Sequence, residues 1–440
     1  MAVFFLTKTL PSARIMSVTD VHQEIEYLYG LERFGIKLGL DVMHELMDIL
    51  DHPETKFKSV HITGTTGKGS TASFLANILQ QAGYKVGLYT SPHLFTFNER
   101  VRINGQPIPD ETLLTLITDI RTKSEAQGIQ QTFFEFTTAL AYQYFAQEKV
   151  DIAIVEVGFG GKLDATNVIT PLLSIITNVG LDHMDVLGNT KEEIARDKAG
   201  VIKPNIPILT NEKEEHILDI FAQEANLKHS PFHQVKDIVS GIQISQSLDS
   251  QTIELRTKED TFTVETTLLG SHQVHNICTA VAAATLLGNL GFNVSRPVLR
   301  EGIRTNHWKG RMEIVSKQPL IIIDGAHNQP GMEALAAFVK ELPNRRALVV
   351  AFKQGKDPLQ VIEPLAHLFD HIIITEGSYE PLATDAVAQS LTPLAISLEE
   401  IPNVTDAVQR AQELAGEDGT IVITGSLYMI SDALNVFPAA

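Results

Sequence analysis

Residues 60–79 read VHITGTTGKGSTASFLANIL, and the reading of the whole chain starts from them. A short apolar run at 59–62 reads as a strand. The chain then breaks at Gly64 into a loop of small residues, and apolar periodicity resumes from Thr71 as a helix. Within the loop, Gly64, Gly67, Lys68 and Ser70 fit the phosphate-loop pattern. Backbone N–H groups must turn inward on an anion, which needs glycine where a Cβ would block the approach. The helix N-terminus adds its positive dipole end, and Lys68 supplies a point charge for the β- and γ-phosphates. Gly69, between the lysine and the hydroxyl residue, departs from the commonest form of the pattern. A glycine-rich strand-to-helix turn is the plainer alternative; strand, loop and helix standing in register favour the phosphate site.

Composition frames that site. A chain of 440 residues is too long for one ordinary core, so two or three domains are expected. A hydrophobic content of 44% with ordinary glycine and proline levels indicates a folded globular protein. The formal charge of -18 argues against a nucleic-acid partner, because phosphate backbones need basic surface. Cys278 is the sole cysteine, which excludes a disulfide framework and a thiolate zinc cluster and points to a reducing, cytoplasmic setting. The apolar run at 2–6 is too short for a secretory core, and no stretch approaches bilayer-spanning length, so no membrane partner is expected. Met16, just before a helix start, is a candidate initiator, which would make the leading residues an extension without a role in the fold.

Taken in order, helices and strands alternate. Val21, Ile25 and Leu28 stand at helical spacing, as do Val42, Leu46 and Ile49. Strands are expected at 85–89, 151–157 and 173–177, and helices at 110–120 and 137–145; Thr190 with Glu193 forms a capping box before a helix toward Lys198. This alternation predicts an α/β fold with a mostly parallel, doubly wound sheet. Between 232 and 269, period-2 alternation predicts a small antiparallel patch, and helix returns at 270–291. Alternation restarts after Trp308, with strands at 320–323, 347–352, 372–375 and 421–424. The boundary falls within 305–310, dividing an ATP-binding domain (1–307) from a smaller Rossmann-like α/β domain (308–440).

Candidate chemistry gathers at strand ends, where open parallel sheets bind ligands. Glu156 is either a magnesium ligand, a hard oxygen donor beside the flexible GFGG at 158–161, or a solvated strand-end acid. Asp182 and His183 are either metal-proximal or a helix-capping aspartate beside a surface histidine. Lys198 reads as a helix-end cation favoured by the dipole. Asp324 and His327, in DGAHNQPG, face a ligand between domains or simply form a strand-to-helix turn, and Arg311 can grip a phosphate bidentately.

The segments GTTGKGS, TSPHLFTFNERVRINGQPI, EVGFGGKLDATN, LDHMDVLGNTKEEIARDKAGVIKP, GSHQVHN, GRME and DGAHNQPG occur in this order across nearly the whole chain. Together they resemble the folylpolyglutamate synthase and dihydrofolate synthase family, within the wider group of ATP-dependent amide ligases that includes the Mur ligases. The resemblance implies that Gly67, Lys68, Gly69 and Ser70 hold the ATP phosphates, with Thr66 standing where the family usually carries Asn. Altered contact geometry with retained nucleotide binding is expected there. It implies magnesium ligands at Ser91, Glu156 and His183, and a carbamylated Lys198 helping to hold a second magnesium. Asn276, Arg311 and Asp324 would contact the nucleotide. His327 would sit where γ-phosphate and glutamate meet. Residues 91–102 would fold over the pterin, and Phe133, Phe134, Glu135 and Phe136 would contact the pteroate.

The implied activity is transfer of the ATP γ-phosphoryl group to a carboxylate of a reduced folate or dihydropteroate, followed by attack of L-glutamate on the acyl phosphate. Lys68, Lys198 and His327 carry the catalytic roles, and a monomer in the cytoplasm is expected. A Mur-type cell-wall ligase would share the nucleotide apparatus but lack TSPHLFTFNER. A non-catalytic phosphate-loop switch would call for an NKxD-type guanine-reading sequence, which the chain lacks.

Overall fold

The computed structural model describes residues 18–34, 39–182, 184–342, 345–394 and 396–437. The leading residues with Met16, and His183, lie outside that set. Eight strands form the first sheet: β1 (Lys58–Thr63), β2 (Val86–Tyr89), β3 (Val101–Ile103), β4 (Gln106–Pro107), β5 (Ile152–Glu156), β6 (Leu173–Ile176), β7 (Ile208–Thr210) and β8 (Phe232–Gln234). Their spatial order is β4-β3-β2-β5-β1-β6-β7-β8. β2 through β8 in that row run parallel, and β3 and β4 add an antiparallel edge. The expected parallel sheet is therefore present, with a hairpin edge, within the segment 90–108, that periodicity did not reveal. These strands are too short to alternate visibly.

Register sets the site. Ile62 pairs with Glu156 on one side and Ile175 on the other, so the residues after β1, β5 and β6 emerge together at one edge. One face of the sheet packs on the helices Lys68–Gln81 and His272–Asn289, and the other on Asp110–Gln127 and Phe133–Gln147. β1 and β5 are almost entirely buried, as a parallel strand covered on both faces must be.

The antiparallel patch consists of β9 (Val239–Gln246), β10 (Gln251–Thr257) and β11 (Thr261–Thr266), in the order β11-β10-β9. It begins later than expected, because β8 joins the parallel sheet instead. The last helix of this part is Arg296–Arg304. The second sheet then opens at Glu313: β12 (Glu313–Lys317), β13 (Leu320–Ile323), β14 (Arg346–Val350), β15 (His371–Ile374), β16 (Ser397–Glu400) and β17 (Thr420–Thr424), ordered β12-β13-β17-β14-β15-β16. All pairs except β12–β13 are parallel. β12 and β16 escaped the sequence reading, being edge strands only half buried and hence without an apolar run. We refer to the two parts as the N-lobe and the C-lobe.

Candidate active site

The loop after β1 is built for close approach. The helix begins at Lys68 rather than Thr71, with Gly67 as its N-cap in the left-handed region (φ 78°). Lys68, Gly69 and Ser70 are thus the first helical turn, whose amide hydrogens have no partner within the helix. Apolar periodicity missed this turn because it carries no apolar residue. A Cβ at Gly64 would overlap the Thr177 hydroxyl, and one at Gly67 would overlap the Asn276 carboxamide oxygen. Both glycines are required by what packs on them. Lys68 Nζ donates to Gly64 O (2.9 Å) and Thr65 O (3.4 Å), lying back over the loop's own carbonyls. Thr66, at the position of departure, accepts from Asn178 Nδ2 on its hydroxyl (2.8 Å) and donates its N–H to Asn178 Oδ1 (3.0 Å).

Glu156, at the end of β5, lies beside this loop and accepts the Ser91 N–H (3.1 Å). It is buried rather than a solvated strand-end acid. Burial raises its pKa, with Lys68, the Ser91 N–H and Arg311 pulling the other way. Lys198 ends the helix Lys191–Lys198, whose Thr190–Glu193 capping box is present, and is buried at 3% exposure. Burial, with the Lys68 charge, pulls its ammonium down to about 7 against Asp197, Asp182 and Asp164. This excludes the solvated helix-end cation. A Cβ at Gly161 would sit 3.0 Å from the Lys198 backbone, so GFGG is the groove in which the lysine's main chain lies.

The C-lobe contributes the turn after β13. Asp324 accepts from Met312 N (2.8 Å) through one oxygen and from Ala326 N (2.9 Å) through the other. Its carboxylate ties the Arg311 segment to the turn, and burial raises its pKa against the nearby Arg311 charge. His327 Nδ1 lies 2.9 Å from Gly325 O. A carbonyl only accepts, so Nδ1 carries the hydrogen and Nε2 keeps a lone pair. Burial holds this imidazole neutral, its pKa lowered to about 4.

One cavity of about 630 Å³ joins these groups: Thr66, Gly67, Lys68, Gly69, Ser70, Ser91, Glu156, Lys198 and Asn276 from the N-lobe, with Arg311, Asp324 and His327 from the C-lobe. Phe133, Phe134 and Glu135 line its aromatic end. Glu135 does so with its carboxylate engaged, accepting the Thr132 N–H (2.7 Å) in a capping box that starts the helix earlier than the expected 137. Phe136 is a correction: it is fully buried, packs edge-on against Tyr27 at 5.9 Å, and does not reach the cavity. The helix turns its side chain inward to the core, away from the face that carries Phe133 and Phe134.

Two groups escaped the sequence reading. Asn178, following β6, holds Thr66; its part depends on β6 lying beside β1, which no local signal reports. Arg100 is buried against the cavity, donating Nε–H to His93 Nδ1 (2.9 Å) with its guanidinium 5.1 Å from the Phe133 ring centroid. Asp182, which the sequence offered as metal-proximal or as a helix cap, instead crosses between lobes, accepting from Lys356 Nζ (2.9 Å) and Asn328 Nδ2 (3.0 Å).

Ser91 and Glu156 offer hard oxygen donors at the phosphate loop, a chemistry that fits magnesium. Among the described residues no cluster of three or more His, Cys, Asp or Glu side chains has metal-site geometry. The set the resemblance implies draws instead on a hydroxyl, one carboxylate, a histidine outside the described residues and a carbamylated lysine.

The family model for the Mur ligase middle domain matches residues 62–284, and that for the Mur ligase glutamate ligase domain matches 310–427. The dihydrofolate synthase/folylpolyglutamate synthase of Bacillus subtilis is 38% identical, the match covering 92% of this chain and 96% of that protein. Mycobacterium tuberculosis folylpolyglutamate synthase, solved with ADP and AMPPCP, superposes with a TM-score of 0.86 at 27% identity, covering 96% of this chain and 99% of that one. Escherichia coli FolC in complex with DHPP and ADP gives 0.84 at 29%, covering 94% and 97%. With two Mur ligase domains end to end and relatives matched over almost their whole length, the chain belongs to the folylpolyglutamate synthase and dihydrofolate synthase family.

Proposed function

We propose that this protein is an ATP-dependent ligase that adds L-glutamate to the carboxylate of tetrahydrofolate or its polyglutamates, with Lys68, Lys198 and His327 as catalytic residues. One observation carries the reading. A single cavity faces a phosphate loop from one lobe with Arg311 and His327 from the other, and ends in the aromatic wall of Phe133 and Phe134. That is the order in which nucleotide, acyl phosphate and ring must lie.

The substrate carboxylate oxygen attacks the γ-phosphorus, the bond to the β,γ-bridging oxygen breaks, and ADP leaves. Lys68 exchanges the loop carbonyls it now touches for phosphate oxygens and neutralises charge developing there. Helix amides at 68–70 and the Arg311 guanidinium hold the remaining oxygens. The neutral glutamate nitrogen then attacks the acyl carbonyl, the carbonyl carbon–oxygen bond to phosphate breaks, and the nitrogen gives its proton to the departing phosphate. His327 Nε2 is too weakly basic to keep that proton; it accepts a hydrogen bond from the amine and orients it. Closure of the lobes excludes the water that would hydrolyse the acyl phosphate.

Ser91 and Glu156, with His183, would hold magnesium, which supplies Lewis-acid charge at the transferred oxygens. Lys198 would take up CO₂ as a carbamate: the buried amine is neutral in good part near pH 7, and only the neutral form adds CO₂. Asn276 and Asp324 complete the nucleotide site, and Phe133, Phe134 and Glu135 the pteroate site. The division at 307/308 is supported by the two sheets, which share no strand, and by family matches falling on either side. A cytoplasmic monomer is part of this reading. No described helix is long and apolar enough to cross a membrane.

Dihydropteroate as acceptor is a second reading, favoured by the Bacillus subtilis relative, which is named for both activities. Glutamate-dependent ADP release, measured with tetrahydrofolate and with dihydropteroate, tests both. No release with either acceptor would overturn the assignment.

A further inference from the structure

We infer that residues 177–182 are a positioning strap for phosphoryl transfer. They shape the phosphate loop at one end and seat the C-lobe at the other, with Asn178 and Gly180 as its working residues. The inference rests on the function proposed above but takes in residues given no part there.

The N-terminal half of the strap grips the loop at consecutive residues. Thr177 Oγ1 donates to Thr66 O (2.7 Å), and Asn178 Nδ2 reaches the same carbonyl (3.3 Å) as well as the Thr66 hydroxyl (2.8 Å). Asn178 Oδ1 takes the Thr66 N–H (3.0 Å), so one carboxamide spans donor and acceptors of a single loop residue. Thr65 is held likewise: its N–H donates to Asn178 O (3.1 Å), and its hydroxyl accepts from Gly180 N (2.8 Å). The two residues before Gly67 therefore owe their conformation to this segment. The orientation of the amides that meet phosphate follows from it.

The other half faces the C-lobe. Asp182 accepts from Asn328 and Lys356 across the cleft. Gly180 lies at the junction: a Cβ there would stand 3.3 Å from Thr65 Cγ2 on the loop and 3.4 Å from Pro330 Cγ at the start of the C-lobe helix Gln329–Val339. The residue is thus a spacer of minimal thickness between the phosphate loop and the opposing lobe. A methyl there presses on Thr65 more tightly than packed side chains normally do, so the loop or the C-lobe must give by a few tenths of an ångström.

The two ends predict different defects. Asn178→Ala frees the loop and leaves the lobe contact intact. It should weaken binding of a non-hydrolysable ATP analogue about tenfold, the loss expected for a few hydrogen bonds. KM for the folate should stay within about twofold. Thr66→Val removes the hydroxyl that Asn178 engages, so the double variant should lose less than the sum of the two singles. Gly180→Ala should lower kcat about tenfold or more with analogue affinity nearly kept, because it spaces the lobes apart where the reacting atoms meet. Asn328→Asp, which keeps the cap acceptor for Gly331 N but sets a carboxylate against Asp182, should reproduce the kcat loss. Analogue titration needs no turnover, so it tests the strap even if no glutamyl product forms, an outcome that would strike the functional reading alone. Thermal midpoints check folding of each variant. Unchanged analogue affinity in Asn178→Ala, or wild-type kcat in both Gly180→Ala and Asn328→Asp, would overturn the inference.

Discussion

The two strand-to-helix turns that face each other across the cleft solve different problems. The N-lobe turn, Gly64 to Ser70, is prebuilt: glycines clear the approach, Asn178 and Thr177 hold its peptides, and three helical amides point outward. The C-lobe turn, Asp324 to Asn328, spends its carboxylate on two backbone amides, those of Met312 and Ala326, and brings His327 to the cavity beside Arg311. One lobe is an anion receptor by itself; the other becomes a site only when seated against the first. The difference teaches that binding and turnover should separate by lobe.

Lys68→Ala attacks the prebuilt side. Turnover should fall by about a hundredfold or more, the scale on which lost charge stabilisation acts at a transition state. Retention of wild-type ADP release would remove Lys68 from the mechanism. Phe136→Ala tests the corrected wall. As a core truncation it should cost about 3–5 kcal/mol of stability, read from denaturant midpoints, while Phe134→Ala should raise KM for the folate with little loss of stability. The reverse pattern would return Phe136 to the cavity. Arg311→Ala attacks the lobe that must be seated. It should reduce turnover about ten- to a hundredfold while analogue affinity falls much less, and an equal fall in both would erase the contrast between the lobes.

Lys198 has a pH signature. Its amine, lowered to about 7 by burial, must be neutral to take up CO₂, so stimulation by bicarbonate should be strong above pH 7 and fade below it. Lys198→Ala should be poorly active and regain part of its rate with acetate. A bicarbonate effect with the opposite pH trend would exclude the carbamate. The smallest effect concerns His61, buried on β1 with Nε2 2.8 Å from Thr166 Oγ1. Burial lowers its pKa from 6.5 to about 3. Because the unfolded chain takes up the proton first, stability is full above pH 6.5. It declines by about 1.4 kcal/mol per unit as the pH falls from there toward 3. Against the wild type, His61→Gln should flatten that slope; an unaltered slope would assign it to other groups.

Much of this site was legible in the chain because it is local. A phosphate loop, a capping box at Thr190 and the DGAHNQPG turn each lie within a few residues. Their chemistry is carried by residue type and spacing. Capping also shows where local reading stops: Thr132 and Glu135 form the same box as Thr190 and Glu193, yet they sit among aromatics whose apolar pattern hid the start of the helix. The aromatic run at 133–136 looked like one wall, and the helix divided it between cavity and core.

By itself the sequence determined the alternating α/β order, the phosphate loop with Lys68, the antiparallel interruption and a second α/β unit. Each rests on periodicity or on backbone demands met within one segment. Tertiary structure alone decided that β5, β1 and β6 lie side by side, which brings Glu156 and Asn178 to the loop. It also decided that Lys198 is buried rather than solvated, and that Asp182 reaches across to Asn328 and Lys356. Strand order and burial are properties of chain segments meeting at long range, and no residue's own type or near neighbours encode them.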